Sequence, residues 1–357
     1  MPEIKYEFDF IMRRKFNAPT SYDVAHSAGV SQAVVSRAFQ AGAPIAAATR
    51  AKVLAAAQQL GYLPNAVARS LITKRTGLVA VLISQDTQRE SSDLLFALGV
   101  ALQDQGFQPL LFSVEQENDS ARALHKALAH GVDAVVSCLA LPHTALKQAW
   151  QRPCPVIMFN RAAPVELASS VCTDHANAAR LLAARLVAAG HRRFAVVTGP
   201  VGAPVSQLRA NAFSERLASL GIEDIRWFQG DYHYEAGHAA GMDLLDLADT
   251  ARRPDVIFCV NDAMALGVLD AARFGLMLQV PHDVSVVGFD NIPYGQRPAY
   301  KLTTISQPFK ALAEHAAIEV RSRLDSDSAC RHILLPADLI ERASANLFPR
   351  VAPTGAQ

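Results

Sequence analysis

The chain has 357 residues, half of them apolar, which is more than one hydrophobic core holds comfortably and predicts two or more folding units. Its net charge of +1 conceals an asymmetry: residues 13–75 carry nine Lys and Arg against one acid, Asp23, so the rest of the chain is net acidic. No stretch of eighteen uninterrupted apolar residues occurs, and residues 1–10 lack the basic start and apolar run of an export signal, so the expected location is the cytoplasm. The five cysteines (Cys138, Cys154, Cys172, Cys259, Cys330) never form a CxxC pair, which argues against a disulfide framework or structural zinc and for buried free thiols.

In chain order, residues 1–17 read as an N-terminal extension that need not be ordered, with Met12, ahead of Arg13, Arg14 and Lys15, as an alternative start. Residues 18–64 read as a helical head. Thr20 caps a first helix with Asp23 in its first turn, and Tyr22, Val24, Ala25 and Ala28 supply an apolar face that Gly29 ends. Ser31 is positioned to cap a second helix, Gln32 to Phe39, after a connection short enough for a helix-turn-helix. A third helix runs from Ala47 to Leu60 with Val53, Leu54, Ala57 and Leu60 at helical spacing and Gly61 as its stop. Residues 65–76 form a short helical segment and linker.

From Leu78 the pattern changes. Seven apolar runs of strand length (78–84, 108–114, 133–139, 155–160, 193–199, 255–260 and 283–290) alternate with helical stretches. Continuous Val, Ile, Leu and Phe are what parallel strands need when helices cover both faces, so 77–350 reads as an α/β body of two parallel-sheet lobes, followed by a tail at 351–357. The lobes are expected to divide near Asn160 and Arg161 and again near Ser306, with ligands at the carboxyl ends of strands.

The stretches TSYDVAHSAGVSQAVVSRAF (20–39) and TRAKVLAAAQQLGYLPNAVARSLITK (49–74) closely resemble the DNA-binding head of the lactose repressor (LacI/GalR) family, whose body is a two-lobed clamp like that of periplasmic binding proteins. The resemblance implies a ligand-responsive regulator, expected to be a repressor, that binds a near-palindromic operator as a homodimer. The start of the second helix then faces the major groove: Gln32, Ala33 and Val34 are the candidates for base edges, with Gln32 able to pair with adenine, while Ser31, Ser36 and Arg37 suit phosphates, or in the case of Arg37 a base at the edge of the half-site. Thr20 and Tyr22 complete the set on the first helix. Asn65, Ala68, Arg69 and Leu71 match the family's hinge helix, in which Leu71 wedges between base pairs and Ala68 lets two hinges approach.

In the body, the resemblance places Arg209 (in VSQLRANAF) as an effector-binding arginine and matches Asn160 and Phe309 to pocket positions. Asn261 and Asp290 follow strand ends, Asp262 reads as a helix cap, Tyr232 offers a stacking face, and Ser84, Gln85 and Asp86 leave the first strand. Such donors and acceptors suit a small sugar, sugar acid or related polyol. Two departures from the family stand out. Ala46 replaces the usual Ser or Thr before the third helix, weakening that start by ~1 kcal/mol. Arg89, Glu90, Ser91 and Ser92 stand where aromatics are common, which leaves room for a polar or anionic ligand.

Rival functions fare worse. HExxH, GxSxG, Walker and GxGxxG patterns are all missing, so we expect no catalytic residues, no cofactor and no metal. A solute-binding protein without a transcriptional role would share the clamp but would need an export signal and have no use for a basic helical head. Pro349 and Pro353 near the C-terminal end, with no sustained heptad, predict a dimer without a tetramerising coiled coil.

Overall fold

The structure is a computed structural model that describes residues 18–40, 42–63, 75–85, 92–115, 119–164, 166–247, 249–326 and 328–348. The expectations for 1–17, for Asn65, Ala68, Arg69 and Leu71, for Asp86, for 89–91 and for 351–357 lie outside these residues. The chain separates into two compact units, 1–76 and 77–357.

The first unit contains α1 (Ser21–Ala28), α2 (Gln32–Ala38) and α3 (Ala47–Leu60). A capping box starts α1: Thr20 accepts from the Asp23 backbone N–H at 3.4 Å, and the Asp23 carboxylate accepts from the Thr20 N–H at 2.8 Å. Gly29 and Gly61 close α1 and α3 at φ +60° and +66°, a region costly for residues with a Cβ. Ser31 occupies the cap position of α2 in extended conformation, but contrary to expectation its hydroxyl makes no cap bond; its carbonyl starts the helix by accepting from Val34 and Val35. Ala46 likewise gives α3 no side-chain cap.

Val24, Ala25, Ala28, Val35, Ala38, Val53, Ala56 and Ala57 form the core of this unit. Three apolar residues expected on buried faces are instead exposed: Tyr22 by 73%, Leu54 by 42% and Leu60 by 40%. Small alanines bring the helices close and leave no slot for the larger side chains. Arg50 then fastens the turn after α2, donating to the Ala38 carbonyl at 2.8 Å and the Ala43 carbonyl at 3.1 Å.

The second unit holds two six-stranded sheets. The N-terminal lobe contains β1 (Leu78–Ser84), α4 (Ser92–Asp104), β2 (Gln108–Val114), α5 (Ser120–Ala129), β3 (Ala134–Ser137), α6 (His143–Trp150), β4 (Val156–Phe159) and β5 (Ser169–Thr173). The C-terminal lobe contains α7 (His175–Ala188), β6 (Phe194–Thr198), α8 (Pro204–Ser219), β7 (Ile225–Gln229), α9 (Tyr234–Leu245), β8 (Val256–Cys259), α10 (Asp262–Asp270), β9 (Ser285–Asp290) and β10 (Thr303–Ser306). The chain then returns to the first lobe with α11 (Phe309–Asp325) and β11 (His332–Leu335), and ends in the second with β12 (Asp338–Ile340). Every strand pairing is parallel except β10 with β12.

Two-residue periodicity explains the unbroken apolar runs. In β1, Val79 and Val81 point to a core shared with α4 and α11, while Ala80 and Leu82 point to one shared with α5 and α6. Ile157 and Phe159 of β4 likewise face the first core, Val156 and Met158 the second. Each large side chain so buried contributes ~1.5–3 kcal/mol.

The first crossing between lobes corrects the sequence expectation. After Asn160 and Arg161 the chain stays in the N-terminal lobe for another strand, β5, and crosses between Thr173 and His175, where α7 buries Ala178, Ala179 and Leu182 in the other lobe. The expectation failed because SSVCT, polar in composition, is fully buried. The second crossing, after Ser306, lies where it was expected, and a third separates Leu335 from Asp338.

Candidate nucleic-acid interface and ligand cleft

On the first unit the N-terminal end of α2 is presented to solvent. Ser31, Gln32, Ala33, Ser36 and Arg37 are exposed, Val34 is half-buried against the core, and Val35 is buried within it. Gln32 donates to the Ser21 hydroxyl at 3.4 Å, and Arg37 folds back on the Ala33 carbonyl at 3.3 Å. Thr20 is engaged in the capping box, and Tyr22 projects freely from α1. The helix start therefore offers its polar groups and unsatisfied N–H ends outward, the arrangement that suits base edges and phosphates.

In the body, a cleft of about 560 Å³ opens at the carboxyl ends of the strands of both lobes. Ser84, Phe159, Asn160 and Arg161 line it from the N-terminal lobe, while Arg209, Tyr232, Asn261 and Asp290 line it from the C-terminal lobe. Gln307 and Phe309, on the second crossing, close one side. Of the eight sequence-derived positions among the described residues, seven line this cleft; Gln85 is exposed and does not.

Arg209, on the second turn of α8, is almost entirely buried. Its guanidinium lies 3.7 Å over the Phe289 ring and makes three contacts: Nη2 to Asp290 Oδ1 at 3.0 Å, Nη1 to the Val260 carbonyl at 2.6 Å, and Nε to His175 Nδ1 at 3.3 Å. Because Nδ1 of His175 accepts, its proton sits on Nε2, a buried donor with no partner among the described residues. Burial, helped by the facing Arg209 charge, holds His175 well below its ordinary pKa and keeps it neutral.

Asp290 also accepts from Gln307 Nε2 at 2.6 Å, and Gln307 Oε1 accepts from Asn160 Nδ2 at 2.7 Å and Thr173 Oγ1 at 2.8 Å. A continuous polar chain thus runs from Arg209 through Asp290 and Gln307 to Asn160, from one lobe to the other. Burial pushes the Asp290 carboxyl up against the opposing pull of Arg209. Tyr232, at φ +77°, lies over Gly199 so closely that a Cβ there would sit 2.5 Å from its ring. Gly199 is what lets the ring pack down on this loop.

The helix cap falls one residue earlier than expected. Asn261 is the cap of α10, accepting from the Met264 N–H at 3.1 Å while its amide donates to the Tyr232 carbonyl at 2.8 Å. Asp262, read from sequence as the cap, is instead a fully buried carboxylate behind the cleft. Sequence reasoning missed Arg161, His175 and Gln307; only tertiary structure brings them to the cleft or its buried arginine, though the run FNR at a strand end was a signal for Arg161. The thiols of Cys138, Cys154, Cys172 and Cys259 are buried, and burial pushes each of them up, Cys138 to about 12, which makes them poor nucleophiles.

A helix-turn-helix head followed by a two-lobed, strand-end clamp defines a DNA-binding transcription regulator of modular build. Residues 20–65 match the lacI family of bacterial regulatory proteins, and residues 183–345 match the periplasmic binding protein-like domain. The chain is 32% identical over 333 residues to the ribose operon repressor of Escherichia coli (strain K12), covering 91% of this chain and 99% of that one. Among solved structures it is similar to the Lac repressor dimer bound to operator and the anti-inducer ONPF (TM-score 0.81, 27% identity, 92% of this chain and 99% of that chain). It is also similar to the transcriptional regulator CelR–cellobiose complex (TM-score 0.67, 27% identity, 92% and 100%). The chain belongs to the LacI family of transcription regulators.

Proposed function

We propose that this protein is a repressor that grips a near-palindromic operator as a homodimer in the cytoplasm and responds to a small sugar, sugar acid or related polyol in the cleft. The observation that carries the reading is the cleft itself: strand ends of both lobes meet around the pair of buried Arg209 and half-buried Asp290, so a bound solute touches both lobes at once. The operator-bound Lac repressor dimer and the cellobiose-bound CelR, as relatives, support the two kinds of partner. Phe96 and Val100 project from α4 into solvent, an apolar face that supports pairing with a second copy.

The site residues fall into two groups under this proposal. Gln32, Ala33 and Val34 read bases; Thr20, Tyr22, Ser31, Ser36 and Arg37 position the head on phosphates, and Asn65, Ala68, Arg69 and Leu71 form the hinge. Arg209, Asp290, Tyr232 and Ser84 meet the solute. Ligand shifts the population of lobe arrangements, and the paired hinges are thereby held together on DNA or released.

A thermal-shift screen of cellobiose, ribose and their acid derivatives, combined with fluorescence anisotropy on duplex DNA, tests this. A melting temperature raised by one of these solutes, with duplex affinity that falls steeply with salt and changes on adding it, is the expected result. Absence of any preference for one duplex over random competitor, with or without solutes, overturns it.

A further inference from the structure

The turn that presents Asp290 to the cleft is built against backbone preference. Asp290 has φ +123° and Asn291 φ +59°, two successive residues with side chains in the region that favours glycine. Such a conformation persists only where the surroundings hold it. We infer that Asp262 is the positioning residue of the cleft: from inside the C-terminal lobe it clamps this turn and so aims Asp290 at Arg209 and the ligand. The inference rests on the cleft being the effector site.

Asp262 is the first residue of α10 and has no exposed surface. Its Oδ2 accepts from the Ile292 backbone N–H at 2.8 Å, one residue beyond the strained pair, and its Oδ1 accepts from Thr304 Oγ1 on β10 at 2.5 Å. The slot exists because residue 288 is glycine: a Cβ there would lie 2.2 Å from Asp262 Oδ1. Arg342 reinforces the clamp from the chain after β12, donating to Asn291 Oδ1 and to the Leu302 carbonyl, each at 2.7 Å.

The groups facing Asp262 set its protonation. Burial and the neighbouring Asp290 charge raise its pKa to about 7, opposed by Thr304, the Ile292 N–H and Arg342; the Cys259 thiol, at the end of β8, is itself raised by burial and by Asp262. Above neutrality the ionised carboxylate accepts both hydrogen bonds, and on acidification it loses acceptor strength.

Site-resolved amide hydrogen exchange of the full-length protein, corrected for intrinsic rates, reads the clamp without any ligand, so a wrong effector class and a wrong clamp give separate outcomes. In Asp262→Ala the Asn291 and Ile292 amides should exchange about tenfold faster while β6 and β8 keep their protection. Asp262→Asn, which can still accept from Ile292 and donate to the Thr304 hydroxyl, should restore protection but abolish the fall in Ile292 protection expected of the wild type between pH 8 and pH 6. Should the alanine variant not fold, Thr304→Val, which removes one partner only, should give a smaller rise confined to the same amides. Unchanged exchange at Ile292, acceleration spread evenly over the lobe, or a wild-type pH profile in Asp262→Asn overturns the proposal.

Discussion

In the helical unit, the polar side chains expected to meet DNA stand in solvent with few partners among the described residues, whereas in the body the polar groups around the cleft are buried or half-buried and already bonded to one another. Gln32 has one long contact with Ser21, while Arg209 has three partners and an aromatic face beneath it. The contrast follows from the two ligands. A duplex is large and strongly charged, and reading it requires polar groups that are free to be desolvated on contact. A small solute supplies little binding energy, so its site must be ordered beforehand, and buried polar groups are ordered by satisfying each other.

The strongest way to break this comparison is Arg209→Ala. It leaves the Asp290 carboxylate buried without its cation and should lower the stability of the body by about 3–5 kcal/mol while abolishing the solute response. Duplex binding by anisotropy should stay measurable below the melting range. An undiminished response to solute would show that the preordered network is not the binding site. On the exposed side, Gln32→Ala should change discrimination at one base pair by about 1–3 kcal/mol and leave random-duplex affinity nearly intact. A uniform loss on all duplexes would make Gln32 a backbone contact instead.

A smaller effect sharpens the contrast in stability. Ala46→Ser supplies the cap that α3 lacks and should stabilise the helical unit by about 1 kcal/mol, read as slower amide exchange in α3 with the body unchanged. The subtlest test is pH. His175 is held neutral below its ordinary pKa, so as pH falls below about 6.5 the unfolded chain takes up a proton that the folded one refuses, and stability is lost. Asp262 acts in the opposite sense, since its raised pKa penalises folding as pH climbs from its ordinary value toward about 7. In His175→Asn the first slope should vanish and the second remain, visible as a melting temperature that falls less on acidification than in the wild type.

The elements that sequence revealed were those with a complete local signal. The α3 boundaries, Ala47 and Leu60, are marked by spacing and by Gly61, and the apolar runs behind β1 and β9 carry both faces of a sheet. β7, β11 and β12 were not legible because they are edge strands that bury no residue fully, and β5 and β10 because SSVCT and TTIS are polar in composition yet buried by neighbours that only the fold supplies. The same distinction holds at the cleft. Arg209 and Asp290 sit in recognisable local contexts, whereas Gln307 matters because its two ends reach residues 147 and 17 positions away. The capping role read for Asp262 belongs to Asn261, a one-residue shift at a helix start, where composition alone does not decide which side chain faces inward.

The three passages of the backbone between lobes have a consequence for synthesis. Neither half of the clamp is encoded by one continuous stretch: the N-terminal sheet waits for β11 and the helix α11 that covers it, and the C-terminal sheet waits for β12. The helical head has its full complement of core residues once Tyr62 has left the ribosome, whereas both lobes keep an open sheet edge or an uncovered face until α11, β11 and β12 emerge. A nonsense mutation anywhere between Ser306 and Leu335 would therefore damage both lobes together and release a chain whose head is intact but whose clamp is not.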